Sequence, residues 1–297
     1  MDIKLLALKF YDHSSYIRGY SKATIRRYRF AITFYCKVME IQNIEQVTND
    51  NIRQFFFYGR TARGWQPSTF QTIHKSLLVF FRWCVNQQYL QHNPVEDLEV
   101  PNVEKRLPPK LTRQDAFRLL EVVYNYPYDS VFLRSRNHAI LSTFLFAGLR
   151  NSELLKLRFT DVDLDNLTIY VHQGKGSKDR IVPMSHTLAQ SLKRYLEERK
   201  KLRKTCPEFF ASSNRNMGFT NTGLKRLVEK IRKSASINFT VHMLRHTFAT
   251  LMLEGGCDIY SLSRMMGHSA ITTTTIYLAA SPEHLRSQML KHPLNGM

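Results

Sequence analysis

Six side chains able to handle a phosphodiester follow one another through the C-terminal two-thirds of the chain: Arg150, Lys175, His242-x-x-Arg245, His268 and Tyr277. A guanidinium fork matches two phosphate oxygens at once. A lysine ammonium can protonate a departing oxygen, and a tyrosine hydroxyl can attack phosphorus. Tyrosine ionises near pH ~10, so it is a weak nucleophile until nearby cations stabilise the charge that develops. Two arginines offer that help and can stand in for a metal ion. The chemistry suggested is cleavage of a phosphodiester without a metal.

Each residue needs an element to hold it. His242, Arg245 and His246 fall at i, i+3 and i+4 of a helical segment, hence on one face, while Leu244, Phe248, Leu251 and Met252 turn toward a core. Gly255-Gly256 ends that helix. The His242–His246 spacing is also that of a zinc protease helix, but Met243 replaces the glutamate that such a site uses as base, so no metal is expected. Arg150 follows Ala147-Gly148-Leu149 and precedes Asn151-Ser152-Glu153. Glycine lets one helix end, Asn151 or Ser152 can cap the next, and Arg150 then lies at a helix start whose free amides favour an anion. Glu153, one turn on, either orients Arg150 by a charge-assisted bond or is an exposed acid. Lys175 sits between Gly174 and Gly176 near the tip of a hairpin formed by Leu167–His172 and Arg180–Met184, with Lys178 a rival for its role. Ser269 is expected to cap a short helix that carries Tyr277 a little over two turns beyond His268. Taken singly, most of these residues have ordinary explanations; Tyr277 is one of 14 tyrosines, and a packed aromatic is the commoner role.

The surroundings suit a polyanionic partner. The 297 residues carry a formal charge of +19 with a pI of about 9.9. Residues 1–100 hold 13 Lys and Arg against 8 Asp and Glu, and residues 101–297 hold 30 against 16, so both halves are basic. A soluble protein with solvated charged faces is the plain alternative. Hydrophobic residues make up 43%, enough for a folded core, and the length suggests two domains.

The first hundred residues read as helices. Ser21 opens one with Ile25, Tyr28, Ile32 and Tyr35 on its buried face; Thr48 to Tyr58 forms a shorter one; and Pro67-Ser68 starts a long one that buries Ile73, Leu77, Phe80, Phe81 and Cys84. Arg26, Arg27 and Lys75 lie elsewhere on these helices, as solvated charges or as phosphate contacts. Prolines 94, 101, 108 and 109, with Lys105 and Arg106 among them, mark a linker. Thr112-Arg-Gln-Asp115 starts a second domain with helices at about 113–125 and 134–147, another from Asn151, then the hairpin, then helices from about 187 onward. The expected division is 1–98 helical DNA-binding domain, 99–111 linker and 112–297 catalytic domain, a mainly α fold with a small β-hairpin. Four scattered cysteines suggest neither disulfides nor zinc, which suits a reduced, cytosolic protein, and no apolar stretch is long enough to span a membrane.

Four local motifs carry a resemblance to the tyrosine recombinase (phage integrase) family: A-G-L-R-N-S-E-L around Arg150, G-K-G-S-K-D-R around Lys175, H-x-L-R-H-T from His242, and G-H-S-x-x-x-T-T-x-x-Y ending at Tyr277. The resemblance covers nearly the whole chain. It implies a helical core-binding domain and an α/β catalytic domain forming a C-shaped clamp, acting as a tetramer on two DNA duplexes that carry specific recombination sites. Tyr277 would attack the scissile phosphate to give a 3′-phosphotyrosyl link, with strand exchange through a Holliday junction. Arg150, Arg245, His242 and His268 would serve the phosphate oxygens and proton transfers, Lys175 would protonate the leaving 5′-oxygen, and Glu153 would support the site. Lys105, Arg106, Lys178 and Arg180 join the expected DNA contacts. No metal, nucleotide or other cofactor is implied. A second recombinase subunit is compatible with the pattern, as is association with the nucleoid or with a mobile element.

The first domain begins almost at Met1, and 67 residues separate Lys175 from His242, which points to the short Xer-like members. The tail opening at Ser281-Pro282, with Leu285 and Met289 on one side, is expected to dock on a neighbouring subunit or to pack on its own chain. The family often has Tyr-x-His at its nucleophile, whereas this chain has Tyr277-Leu278-Ala279. The alternatives are a non-cleaving architectural DNA-binding protein, suggested by the helix–Gly255-Gly-Cys-Asp258–helix segment, and a type IB topoisomerase-like enzyme.

Overall fold

A computed structural model describes residues 1–104, 107–172, 179–268, 270–279, and 284, 286, 289 and 290. The chain divides into two compact units, Met1–Lys105 and Arg106–Met297, with the division inside the proline-rich stretch.

Among its described residues the first unit holds four α-helices: α1 (Ile3–Asp12), α2 (Lys22–Val38), α3 (Asn49–Thr61) and α4 (Pro67–Asn86). Their starts follow from capping chemistry. Asp2 accepts the Lys4 N–H at 2.6 Å, Ser21 accepts the Thr24 N–H at 3.2 Å, and Thr48 exchanges bonds with Asn51. Proline at the first position opens α4, where its missing N–H costs nothing. The apolar positions expected of α2 and α4 are all buried. Thr48 is the cap rather than a helical residue, and α3 continues three residues beyond Tyr58. α1 was not separated out by the sequence reading; it buries Ile3, Leu6, Ala7 and Phe10. The core is aromatic, with Tyr35 and Phe55 edge to face at 5.2 Å and Phe10 against Phe80 at 5.3 Å.

The second unit runs α5 (Arg113–Asn125), α6 (Val131–Ala147), α7 (Asn151–Lys156), β1 (Val162–Asp163), β2 (Thr168–Val171), β3 (Arg180–Pro183), α8 (His186–Lys201), α9 (Asn221–Ala235), α10 (Val241–Glu254), α11 (Ile259–Met266) and the short α12 (Ile276–Ala279). Thr112 caps α5 as its sequence predicts, and Ser130 starts α6 three residues before the expected point. α6 is buried on nearly every side, the mark of a central helix. The three strands form an antiparallel sheet in the order β1-β2-β3, with Ile169 opposite Val182. The hairpin is therefore present, with an added strand of only two residues that is too short to show an alternating pattern. Among the described residues no helix is long and apolar enough to cross a membrane.

Candidate active site

Glycine ends the two helices that deliver the site. Gly148 stops α6 in the left-handed conformation (φ 59°) and Gly267 stops α11 in the same way (φ 64°). A β-carbon on Gly148 would lie 2.2 Å from a carbon of the Phe248 ring, so α6 and α10 meet there backbone to ring. The exposed carbonyls at both helix ends then receive arginine. Buried Arg245 donates from Nη1 to the Gly148 carbonyl and from Nη2 to that of Met266 at 2.6 Å. Arg150 donates from Nη2 to the Gly267 carbonyl at 2.8 Å.

Arg150 is itself the residue at which α7 begins, which corrects the assignment of that cap to Asn151 or Ser152. Glu153 reaches back to it, accepting its backbone N–H at 2.8 Å and its Nη1 at 2.7 Å. Glu153 is thus a buried orienting acid rather than an exposed one. A third cation shares it: Arg180 on β3 donates from Nη1 and Nη2 to both carboxylate oxygens at 2.9 and 2.8 Å, and from Nε to the Met265 carbonyl at 2.7 Å. Burial alone would raise the Glu153 carboxyl, but the bonds from Arg180 and from the Arg150 N–H bring it down to about 2. Arg180 was expected among the DNA contacts; its side chain is 8% exposed and its donors are directed to Glu153 and to the end of α11. Burial and the adjacent Arg150 lower Arg245 to about 10, still cationic at neutral pH.

His268 follows the α11 stop. Its Nε2 lies 3.3 Å from Arg245 Nη2 and its Nδ1 lies 2.7 Å from Thr274 Oγ1. Guanidinium only donates, so Nε2 is the bare nitrogen and Nδ1 carries the proton to Thr274. Burial, then Arg245, Arg150 and Arg180, push the ring down to about 4, and it is neutral at pH 7.

Tyr277 stands at the second position of α12, 2% exposed, packed with Phe248, Leu253, Leu262 and Met266. Its ring lies parallel to that of His268 at 6.4 Å, and its Oη is 2.9 Å from His246 Nδ1. Burial raises its ionisation above the ordinary value, while Arg245 and Arg150 pull it back. The single two-turn helix expected between His268 and Tyr277 is replaced by a 3-10 turn (Ile271–Thr273) and the four-residue α12; Ser269, its expected cap, lies outside the described residues. The run of threonines favours this break, because β-branched residues and hydroxyls that bond to nearby backbone both weaken a helix. Thr275, for example, donates to the Thr272 carbonyl at 2.9 Å.

His242 shares the face of α10 with Arg245 and His246 and is exposed. On the opposite face, Leu244 and Phe248 are buried, while Leu251 and Met252 are only half-buried. Lys175, Lys178, Lys105 and Arg106 lie outside the described residues. At the base of the hairpin, exposed His172 sits 3.2 Å from buried Asp161 and 3.3 Å from Asp179. In the first unit Arg26, Arg27 and Lys75 are all exposed. Among the described residues no three His, Cys, Asp or Glu side chains cluster as a metal site.

The structure therefore brings together Arg150, Glu153, Arg245, His268 and Tyr277 from four separate stretches of chain. The profile of the phage integrase family matches residues 110–284, which includes all of them, and that of the phage integrase N-terminal SAM-like domain matches residues 6–91. The chain belongs to the phage integrase family. Within the family it is similar to the tyrosine recombinase XerC of Bacillus pumilus (strain SAFR-032), 30% identical over 95% of this chain and 94% of that one. It is also similar to the tyrosine recombinase XerA of Pyrococcus horikoshii, at 31% over 94% and 90%. Among solved structures, the crystal structure of XerA recombinase is 27% identical with a TM-score of 0.55, covering 98% of both chains. The Tn1549 transposon integrase in complex with a circular intermediate DNA gives a TM-score of 0.74 at 21% identity, covering 98% of this chain and all of that one. This member of the integrase family is thus a Xer-like, tyrosine-type site-specific recombinase, and neither the architectural nor the topoisomerase alternative is favoured.

Two pairings within the site are not legible in the sequence. The Glu153 carboxylate is shared with Arg180, 27 positions away on a strand, and no periodicity links the two. His246 stands in the H-x-L-R-H motif on the face of His242 and Arg245, but the helical face says nothing of a partner 31 residues later, Tyr277.

Proposed function

We propose that this recombinase cuts and rejoins double-stranded DNA with Tyr277 as nucleophile, leaving a 3′-phosphotyrosyl link and a free 5′-hydroxyl and passing through a Holliday junction. The observation that carries the reading is the convergence of Tyr277, His268 and Arg245, with the Arg150–Glu153 pair tied to the same helix end. Arg150 and Arg245 hold the non-bridging oxygens, and their positive charge lowers the cost of the pentavalent state. His242 and His268 bind the non-bridging oxygens or assist proton transfer, His268 once a bound phosphate has charged its ring, and Lys175 gives its proton to the leaving 5′-oxygen. The phosphotyrosine conserves the bond energy, so neither metal nor nucleotide takes part. Arg26, Arg27 and Lys75 contact phosphates from the first unit, and Lys105, Arg106 and Lys178 add to the grip; such contacts position the duplex rather than read it.

The working form is a tetramer on two recombination sites, of one chain or with a second recombinase, in the cytoplasm at the nucleoid. The C-terminal tail links neighbouring subunits. Buried His284 bonds its own Leu253 carbonyl at 2.7 Å, so this part of the tail rests on its own α10 before any exchange. A nicked suicide duplex, carrying a site selected from a random pool by binding to this protein, tests the chemistry. With chelator present the protein should form a covalent 3′ adduct, and Tyr277→Phe should form none. Absence of an adduct in the unmodified protein on a duplex it binds would sink the reading.

A further inference from the structure

Attack by a tyrosine needs somewhere for the phenolic proton to go. The oxygen that attacks is Tyr277 Oη, and among the described residues one titratable side chain lies within hydrogen-bonding distance of it, His246, through Nδ1 at 2.9 Å. We infer that His246 is a catalytic residue of the strand-cleavage reaction, the base that takes the Tyr277 proton on attack and returns it on rejoining. The inference rests on Tyr277 being the nucleophile.

The ring is held for the task. Arg245, its immediate neighbour on α10, is fixed to the ends of α6 and α11, and the Thr250 hydroxyl donates to the His246 carbonyl at 3.0 Å. The Tyr277 and His246 rings are 5.6 Å apart at 48°, a tilted contact that directs the hydroxyl at the edge nitrogen rather than at the ring face. The groups facing His246 are His242 and Arg245 from α10, His268 from the α11 stop, and Tyr277 itself. Burial, then His242 and Arg245, lower its proton affinity, so it is a free base at neutral pH. Burial holds the Tyr277 phenol above its ordinary value, and Arg245 and Arg150 draw it part of the way back toward phenolate. Both net shifts hold the resting pair as neutral imidazole and neutral phenol, and attack on phosphorus draws the transfer forward by consuming the phenolate as it forms.

The step balances without an added reagent. The Oη–P bond forms, the P–O5′ bond breaks, the phenolic proton moves to Nδ1, and O5′ takes its proton from the general acid, expected to be Lys175. Religation reverses each transfer: O5′ attacks, Oη leaves as the phenol, and imidazolium supplies its proton. The motif partner His268 cannot serve as base in this arrangement, since its Nδ1 proton is given to Thr274 and its bare Nε2 faces Arg245.

His246→Asn keeps an acceptor near the Nδ1 position but has no usable basicity. Single-turnover cleavage of the suicide duplex should fall on the order of 10²-fold in His246→Asn and in His246→Ala. The unmodified protein should lose rate on acidification below pH ~6.5 as the imidazole charges, and His246→Asn should lose that limb of the profile. A duplex with sulfur at the bridging 5′ position, whose leaving group needs no acid, should restore cleavage to Lys175→Ala and leave His246→Asn slow. Binding of each variant to the unnicked duplex and its thermal midpoint are measured alongside. Cleavage by His246→Asn at the unmodified rate would show that only the hydrogen bond matters and overturn the inference. So would a rate loss matched by equal losses of binding or folding, which makes the residue structural. No adduct even with the unmodified protein is a different failure, that of Tyr277 as nucleophile.

Discussion

Glu153→Gln is the perturbation that the charge arrangement of the site predicts most sharply. The carboxylate accepts four bonds from two arginines at 2.7–2.9 Å while its side chain is 5% exposed. Its carboxyl ordinarily ionises near 4.5 and lies at about 2 in the folded chain. A depression of that size corresponds to about 3 kcal/mol of stability, present above pH ~4.5 and lost as pH falls from there toward ~2. Breaking a buried ion pair by removing one partner gives a comparable figure, about 3–5 kcal/mol, because the other partner is left without a counter-charge. Glutamine retains one acceptor, so the loss expected at pH 7 is about 2–4 kcal/mol. For a unit of this size that lowers the thermal midpoint by roughly 5–12 °C. Calorimetry at pH 7 and again near pH 3 is the assay, and the gap between the two proteins should narrow at the lower pH, because the unfolded carboxyl takes up its proton there while the native one, at about 2, is still ionised. Cleavage should also slow, since Arg150 loses its orienting partner. A midpoint within 1 °C of the unmodified protein at pH 7, or a gap indifferent to pH, would refute the reasoning.

Other outcomes follow from single contacts. Gly148→Ala combines a positive φ of 59° with a β-carbon 2.2 Å from Phe248, and should cost about 2–4 kcal/mol in a denaturant titration; Phe248→Leu in the same chain should recover part of it. The His268 ring should titrate near pH 4 by NMR without DNA and at higher pH with a bound phosphate, since the anion offsets the three arginines. Its folded value lies below the unfolded one, so the unfolded chain takes the proton first and acidification from about 6.5 toward 4 destabilises the fold. Arg26→Ala and Arg27→Ala should each reduce the slope of log affinity against log salt by about 1, measured by fluorescence anisotropy on a duplex. An unchanged slope would remove those residues from the DNA contacts.

The helical plan was legible because its signals are local. Ser21 and Thr112 each cap a helix through a bond to a backbone N–H three residues on, and Pro67 opens another. The candidate residues of the site could also be named from short motifs. What joins them could not be. Arg150 and Gly267 are 117 positions apart, and Arg245 and Gly148 are 97 apart, and those bonds go to carbonyls, which every residue carries. A sequence names side chains and leaves backbone acceptors anonymous. The same reason hid the role of Arg180, whose basic character suggested phosphate while its fork was engaged by Glu153 and the Met265 carbonyl. Tyr277 was expected on a two-turn helix, and the threonines before it made a 3-10 turn instead.

Arg245 closes the ends of α6 and α11 with one guanidinium, and Arg150 closes α11 a second time. Helix ends carry negative partial charge, so these cations neutralise main chain before any phosphate arrives. Anion recognition here is therefore not an ornament laid on a finished scaffold; the scaffold is finished by it. A lineage that abandoned strand cleavage but kept binding DNA could surrender a hairpin lysine cheaply, and Arg245 only together with two helix termini. Inactive descendants of such an enzyme should keep their arginines long after losing their chemistry.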